Sequence, residues 1–238
     1  DHRDLHSFPT RRSSDLGSRQ VAAITTAAID ALTTAQINAL STAQVQGLTA
    51  AQLAAIGTEG FAAFETADLA ALTATQMRGL STAMLDALSS TQAAAFGATQ
   101  LAALSTGQLG ALFAGDATST IDLGSLQPTQ IGALSTAAIA ALTTAQVSSL
   151  STDQLASMTT AQVRALETVD LAVLSTAQLA AFGSAQIGAL TTEQLASLAT
   201  ASVASLSSTQ IAGLSSTQIA SMTPERLNAL STEQFAGL

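Results

Sequence analysis

The 238-residue chain contains no cysteine, lysine, tryptophan or tyrosine, and only 10% of its residues are charged. Without cysteine it can form neither a disulfide nor a thiolate metal site, which is compatible with an extracellular location but does not require one. Both histidines lie within residues 1–16. In the rest of the chain, scattered carboxylates are therefore the only groups suited to acid or base chemistry, and we expect no enzyme.

Basic side chains and long apolar runs are also scarce. Residues 17–238 carry 13 acidic and 4 basic side chains. An acidic surface without basic patches argues against nucleic acid and anionic lipid as partners. The positive mean hydropathy comes largely from alanine, and polar residues interrupt every apolar run well short of the roughly 18 positions that a spanning helix needs. We therefore expect no membrane insertion.

The chain is built from one eight-residue repeat. It is clearest from Thr143 to Leu166, which reads TTAQVSSL, STDQLASM and TTAQVRAL. In the same frame, twelve octads run from Gly17 to Leu112 and fifteen run from Ser119 to Leu238. The six residues FAGDAT, 113–118, stand between the two blocks. A short fixed period of this kind indicates a repeat architecture.

Each position of the octad has a physical meaning. Position one is Ser or Thr in 19 of 27 octads and position four is Gln in 18, which is the spacing of a helix-starting capping box. Pro128 and Pro224 both fall at position two, the first helical residue, where a missing N–H is harmless. Positions five and eight are apolar and share one helix face. Position seven is Ala, Gly or Ser except at Val173, so a neighbouring backbone can approach closely.

These positions predict an all-α solenoid, or superhelix, of very short helices, one per eight-residue repeat. One long helix is excluded because its apolar pair would drift by about 80° per octad and wind around the cylinder. A strand is excluded because the sequence shows no period of two. Two buried apolar side chains gain roughly 3 to 6 kcal/mol, whereas ordering eight residues costs about 12 kcal/mol. Contacts between neighbouring octads must therefore supply much of the stability.

Residues 1–16, DHRDLHSFPTRRSSDL, share nothing with the octads. The run HSFPTRRSSDL resembles the translation of a sequencing adapter, which would make it an assembly artefact in an environmental gene fragment. A signal peptide would need an apolar stretch that is missing here, and a basic targeting arm is the other alternative. We expect a disordered artefact at 1–16. We further expect 17–112 and 119–238 to form one continuous solenoid, cut from a longer protein, with 113–118 as an insertion loop.

Two features resemble chemical sites. Around the insertion, Asp116, Thr118, Thr120 and Asp122 alternate as in a calcium loop, but they offer too few ligands, and we interpret 113–118 as a plain surface insertion. The pairs Glu65 with Asp68 and Glu167 with Asp170 could act as an acid and a base only inside a cleft. They replace the two capping-box residues, where the helix dipole favours negative charge. We therefore predict no catalytic, cofactor or metal site.

Other distinctive side chains fit the same frame. The phenylalanines and methionines at positions five or eight are expected to fill the core; they are Phe61, Phe64, Phe96, Phe182, Phe235, Met77, Met158 and Met222. Charges at positions three and six are expected to face solvent, namely Asp30, Arg78, Asp86, Arg164, Glu193, Glu225 and Glu233. Terminal octads should expose Val21, Ile24, Phe235 and Leu238 and so promote end-to-end self-association.

Runs of LSTAQ[IVL]xAL, as in Leu134 to Leu166, resemble the octapeptide tandem-repeat arrays of large bacterial secreted or surface adhesin-like proteins. The resemblance implies an extracellular or cell-surface location. The haem-utilisation label that some of these arrays carry does not transfer, because the octads have no His, Cys or Tyr. We expect a structural spacer. The alternatives are a solenoid that binds other surface proteins or glycans, and binding of ice or surface water by the threonines at position two.

Overall fold

A computed structural model describes residues 17–113 and 123–238, which fall into two compact units divided between Leu104 and Ser105. The described residues form twenty-five α-helices and no strand. The first unit contains α1 Ser18–Ala22, α2 Thr26–Asp30, α3 Thr34–Asn38, α4 Thr42–Gly47, α5 Ala50–Ala62, α6 Thr66–Ala71, α7 Ala74–Arg78, α8 Thr82–Asp86, α9 Ser90–Ala94 and α10 Ala98–Ala103.

The second unit contains the remaining helices and one 3-10 helix, η1. They are α11 Thr106–Phe113, η1 Leu123–Ser125, α12 Pro128–Ala133, α13 Thr136–Ala140, α14 Thr144–Ser149, α15 Thr152–Ser157, α16 Thr160–Ala165, α17 Thr168–Ala172, α18 Thr176–Ala180, α19 Ser184–Gly188, α20 Thr192–Ser197, α21 Thr200–Ala204, α22 Ser208–Ile211, α23 Ser216–Ala220, α24 Pro224–Asn228 and α25 Thr232–Ala236. The predicted all-α solenoid of very short helices, one per octad, is confirmed.

Most octads start a new helix at position one. At α16 the Thr159 hydroxyl accepts the backbone N–H of Gln162 at 3.2 Å, while the Gln162 side chain accepts the N–H of Thr159 at 2.7 Å. These two bonds satisfy donors that a helix start otherwise leaves unpaired. The helix ends at position seven because Leu166 (φ −62°, ψ 141°) and Glu167 (φ −72°, ψ 153°) are both extended. Two extended residues in a row redirect the chain into the next helix.

One octad start is skipped. Helix α5 runs through two octads, with a kink at Gly57, where φ is 72° and ψ is −179°. This conformation is open essentially to glycine alone. Gly57 has no hydroxyl to cap a helix, and position four of its octad is Gly60, which has no amide to reach back. By contrast, Gly97 keeps an ordinary extended N-cap (φ −71°, ψ 164°) because Gln100 accepts its N–H at 2.7 Å.

The junction between the two sequence blocks is described only in part. Phe113, the first residue of the predicted insertion, is helical and buried as the last residue of α11. The other insertion residues, and the four considered as a calcium loop, lie outside the described residues, as does the predicted artefact at 1–16. That 17–112 and 119–238 form one continuous solenoid stays a prediction.

The core of each unit is made by positions five and eight. Seven of the eight predicted core phenylalanines and methionines are buried; the exception is Phe235, which is 54% exposed. Phe61 and Phe64 pack edge to face with ring centroids 5.7 Å apart. The seven charged residues expected at positions three and six to face solvent are all exposed, as predicted.

Helices of neighbouring coils pack three octads apart. In the first unit α1 lies against α4, and in the second α12 lies against α15 and α13 against α16. The contact requires a small residue at position seven, since a Cβ built on Gly47 would stand 2.5 Å from the carbonyl oxygen of Ser18, at position two. At the equivalent contact between α15 and α12, the Ser157 hydroxyl donates to the Pro128 carbonyl at 2.7 Å. The structure agrees with the prediction that a small residue at position seven lets a neighbouring backbone approach closely.

The terminal octads of the sequence differ from each other. Phe235 and Leu238 are 54% and 46% exposed, as expected. The prediction was wrong for Val21, which is only 1% exposed, while Ile24 is half-buried. The reason is that the later helix α4 packs on α1 and covers position five. Among the described residues, no later helix packs on Phe235.

Candidate functional site

A network of position-four side chains joins the coils within each unit. Besides accepting the cap N–H, the Gln162 amide donates through Nε2 to the carbonyl oxygens of Ile131 at 3.0 Å and Leu134 at 2.7 Å. These carbonyls lie at positions five and eight of the fourth octad back, 31 and 28 residues earlier. They lie at the end of a short helix, where the Leu134 carbonyl has no helical partner and the Ile131 carbonyl accepts the N–H of Leu134 at 3.1 Å. One buried amide therefore starts its own helix and caps the end of another.

This arrangement recurs along both units, and we call it the position-four ladder. In the described parts of the chain, the glutamines that donate to the carbonyl 28 residues back include Gln52, Gln76, Gln92, Gln100, Gln154, Gln162, Gln178, Gln186, Gln194, Gln210, Gln218 and Gln234. Gln146 instead donates to the carbonyl of Phe113, 33 residues back, which is the first residue of the insertion. Since helices pack on the third octad back and the ladder reaches the fourth, one coil contains between three and four octads.

The sequence predicted only half of this role. The capping box explains Oε1, which glutamate would supply equally well. The donor role of Nε2 was missed, although a signal for it exists, because no octad has Glu at position four. A carboxylate accepts hydrogen bonds but cannot donate them. Glutamine is therefore required wherever the side chain must also pair with carbonyls.

Comparison with known families agrees with this architecture. The profile of the ALTTAQ repeat matches residues 14–42, 21–58, 61–98, 119–152, 140–168 and 163–200, which together cover well over half of the chain. The chain belongs to the ALTTAQ repeat family. A comparison with curated proteins gave no significant match.

The family's six letters correspond to the structural joint between octads. In this chain they stand at residues 141–146, from position seven of one octad to position four of the next. They comprise the small contact residue Ala141, the apolar Leu142, the cap Thr143 and the ladder residue Gln146. An ALTTAQ repeat is thus a helix end, a chain reversal and a helix start, and the ladder joins it to the coil before.

Arg226 shows which property of position four matters. Its guanidinium donates to the carbonyls of Leu195 at 3.0 Å and Ala196 at 2.6 Å, and also to Leu198. These acceptors lie 31, 30 and 28 residues back, as for the glutamines. Arginine is a donor without acceptor capacity. At this octad the position-four side chain therefore still donates to carbonyls of the fourth octad back, although it cannot accept the N–H of its own cap residue.

The two predicted carboxylate pairs occupy the expected positions but do not all cap. Glu65 and Glu167 are N-cap residues whose side chains make no cap bond. Asp68 and Asp170 stand at position four and are buried, with 5% and 1% of their surface exposed. Carboxylates thus replace donors at two rungs of the ladder. Glu167 lines a shallow depression with Arg164, whereas the carboxylate of Asp170 is buried.

The described residues contain no group of three or more His, Cys, Asp or Glu side chains that could hold a metal ion. Within those same residues, no helix is long and apolar enough to cross a membrane.

Replacing Asp68 by glutamine should stabilise the protein most at neutral pH. Burial raises the pKa of Asp68, the Thr42 hydroxyl bond lowers it, and the charge of Glu65 raises it. With a raised pKa the folded state binds the proton more tightly, so wild-type stability falls as pH rises above about 4. Asp68→Gln should add about 1 to 3 kcal/mol to the free energy of unfolding at pH 7 by restoring donors to the carbonyls of Ile37 and Leu40.

Urea denaturation at pH 7 and pH 3.5 measures this effect. The gain should shrink at pH 3.5, where the protonated Asp68 can itself donate. Asp86→Asn, at an exposed position of the same unit, should change stability by less than about 0.5 kcal/mol at either pH. An equal gain at both pH values would contradict a cost due to the buried charge.

Proposed function

We propose that this array is a structural spacer in a bacterial secreted or surface adhesin-like protein. The observation that supports it is the ladder, which joins many octads of both units to the fourth one back by the same bonds regardless of the residues between. Because these joints repeat the same bonds, the length and regularity of the array do not depend on any particular octad. The proposed location and adhesin-like context come from the resemblance of the LSTAQ[IVL]xAL runs.

The proposal assigns the chain a non-catalytic role. In residues 17–238 the acid–base side chains are carboxylates and four arginines, and most of the carboxylates stand singly on exposed positions of different octads. A spacer needs none of them. It needs repeated contacts of equal strength, so that stability grows with the number of octads.

Deleting whole octads tests the spacer. Removal of Thr143 to Leu166 should keep the helical signal per residue in circular dichroism, because each remaining ladder residue still finds an octad four places back. The maximum dimension measured by small-angle scattering should fall in step with the octads removed. Deleting only Thr159 to Gln162, half an octad, is the matched control, since it removes a cap and shifts the frame of everything that follows.

The half-octad deletion should lose helicity and stability, while the three-octad deletion should lose neither. If the three-octad deletion unfolded the chain, the array would behave as one closed cooperative domain. The spacer function would then lose its main support.

Self-association through the exposed C-terminal octad is part of the proposal. Phe235 and Leu238 expose about half of their surface, and apolar surface of this kind favours association. Sedimentation velocity of the 238-residue chain should show concentration-dependent oligomers, and the double variant Phe235→Ser with Leu238→Ser should be monomeric. Glu233→Ser, an exposed change in the same octad, is the control and should leave the oligomers in place. Oligomers that survive the double change would contradict association through this end.

Binding of a protein or glycan is the second candidate, and one place favours it. Helix α17 exposes Val169 and Val173, at 57% and 46%, where all other octads carry small or polar residues except for Ile121 at position three. A shallow depression beside it is lined by Arg164 and Glu167. This alternative predicts that loss of octad 167–174 abolishes an interaction that loss of other octads preserves.

A further inference from the structure

One buried oxygen atom stands out. Asp170 is 1% exposed, and its Oδ2 is the one buried side-chain nitrogen or oxygen in the described parts of the chain that has no hydrogen-bond partner. A buried and unpaired carboxylate oxygen is costly unless a proton, a donor or a cation meets it. Asp170 occupies a rung of the ladder, so the surroundings of this atom follow from the neighbouring rungs.

The register of the ladder places two carbonyls opposite Asp170. The rungs on both sides are regular, since Gln162 donates to Leu134 and Gln178 donates to Leu150, each 28 residues back. The offset of 28 leads from Asp170 to Leu142, and the offset of 31 that Gln162 also uses leads to Ile139; Gln178 uses 30 in place of 31. The Ile139 carbonyl accepts the N–H of Leu142 at 3.2 Å, and no described residue donates to the Leu142 carbonyl. Oxygen acceptors therefore converge here without a donor.

The gap between these oxygens is the size of a metal ion. In the flanking rungs the amide nitrogens stand 2.7 to 3.0 Å from their carbonyl oxygens. Aspartate is shorter than glutamine by one methylene, about 1.5 Å, which leaves its carboxylate roughly 4 to 5 Å from the carbonyls of Ile139 and Leu142. Two calcium–oxygen bonds of about 2.3 to 2.6 Å each span this distance.

Asp68, the other aspartate at position four in the described residues, has a hydrogen-bond donor that Asp170 lacks. Its carboxylate accepts a hydrogen bond from the Thr42 hydroxyl, 26 residues back. The equivalent residue for Asp170 is Thr144, yet Oδ2 stays unpaired.

The two octads differ at position seven, where the first has Ala71 and the second Val173. Position seven packs on the position-two backbone three octads back, as Gly47 does on Ser18. We infer that Val173, although 46% exposed, adds enough bulk beside Thr144 to keep the hydroxyl away from Asp170.

A second carboxylate, three residues before Asp170 in the sequence, is exposed to solvent. Glu167 is the N-cap of α17, and its side chain makes no cap bond. It can therefore turn toward Asp170 and provide a path from solvent.

We propose that Asp170, Glu167 and the main-chain carbonyls of Ile139 and Leu142 bind a hard divalent cation of the calcium class. The donor set contains only oxygen, which favours such ions over zinc or copper. With two carboxylates, the affinity should be that of weak extracellular sites, with a Kd of roughly 10⁻⁴ to 10⁻³ M. The ion would take the place of the glutamine amide and join α17 to octad 135–142.

Calorimetric titration of the full chain with calcium chloride, after treatment with EDTA, tests the site. Wild type should bind one ion in this affinity range, and calcium should slow amide hydrogen exchange in α17 at least tenfold. Asp170→Asn should bind none, whereas the matched variant Asp68→Asn should bind as wild type does. Asp170→Gln should restore the ladder, so that in EDTA it protects α17 as well as calcium protects the wild type.

Two further results decide the assignment. Val173→Ala should weaken calcium binding about tenfold, because the Thr144 hydroxyl then reaches the carboxylate; unchanged affinity would overturn the role given to Val173. Absence of binding by wild type at 10 mM calcium, or binding that survives Asp170→Asn, would overturn the site itself.

Discussion

Gln162→Glu should destabilise the coil around α16 by about 3 kcal/mol, although the side chain keeps its length and its capping oxygen. Wild-type Gln162 donates to the carbonyls of Ile131 and Leu134 from a position that is 2% exposed. Glutamate brings a charge to the same place and has no hydrogen to donate. Urea denaturation should show the loss, and amide exchange should accelerate in α16 and in the octad 127–134 that the amide caps.

Gln36→Glu is the matched control. Gln36 accepts the N–H of Thr33 at 2.9 Å, as Gln162 does for Thr159, but it is exposed and its Nε2 meets no described residue. Glutamate serves equally well in a capping box, so this change should alter stability by less than about 0.5 kcal/mol. If both variants lost the same stability, the glutamine would act through its cap alone and the ladder would contribute nothing.

Features that depend on near neighbours could be predicted from sequence. The cap formed by Thr159 and Gln162 involves residues three apart, and proline at position two, as at Pro128, follows from the same local rule. The burial of positions five and eight follows from helix periodicity. The small position seven could be interpreted as a close backbone contact before its partner, position two of the third octad back, was known.

Features that depend on the coil could not be predicted. The donors of Gln162 reach residues 28 and 31 positions earlier, and no local rule specifies such an offset. It depends on how many octads complete one coil, which is set by the angles between successive short helices. The burial of Asp170 was missed for the same reason, because position four looks like an exposed first-turn residue until the preceding coil is placed against it.

Single octads that deviate from the regular structure could not be predicted from the repeat pattern either. Gly57 occupies position one like Gly97, but only Gly57 adopts a positive φ. The difference lies three residues further on, where Gly97 has Gln100 as its acceptor and Gly57 has another glycine. A cap is thus a property of two residues together. Counting position-one residues alone predicts a helix start that the chain does not make.

Leu150→Asp should have the largest effect of any single substitution considered, about 5 kcal/mol. Leu150 is 2% exposed at position eight of its octad, and its carbonyl accepts the Gln178 amide at 2.9 Å. The change removes a core side chain and puts a charge in its place. Ser148→Asp is the control, since Ser148 is exposed two residues earlier in the same octad. That change should cost less than about 1 kcal/mol.

The loss caused by Leu150→Asp should remain local. Octad 143–150 contacts the third and fourth octads on either side, and more distant octads keep their own partners. Hydrogen exchange should therefore accelerate in α14, α17 and α18, while α25 retains its protection. Uniform loss of protection across residues 123–238 would mean that this stretch unfolds as one cooperative body. Stability would then not be a sum over neighbouring octads, and whole octads could not be removed from the array without unfolding it.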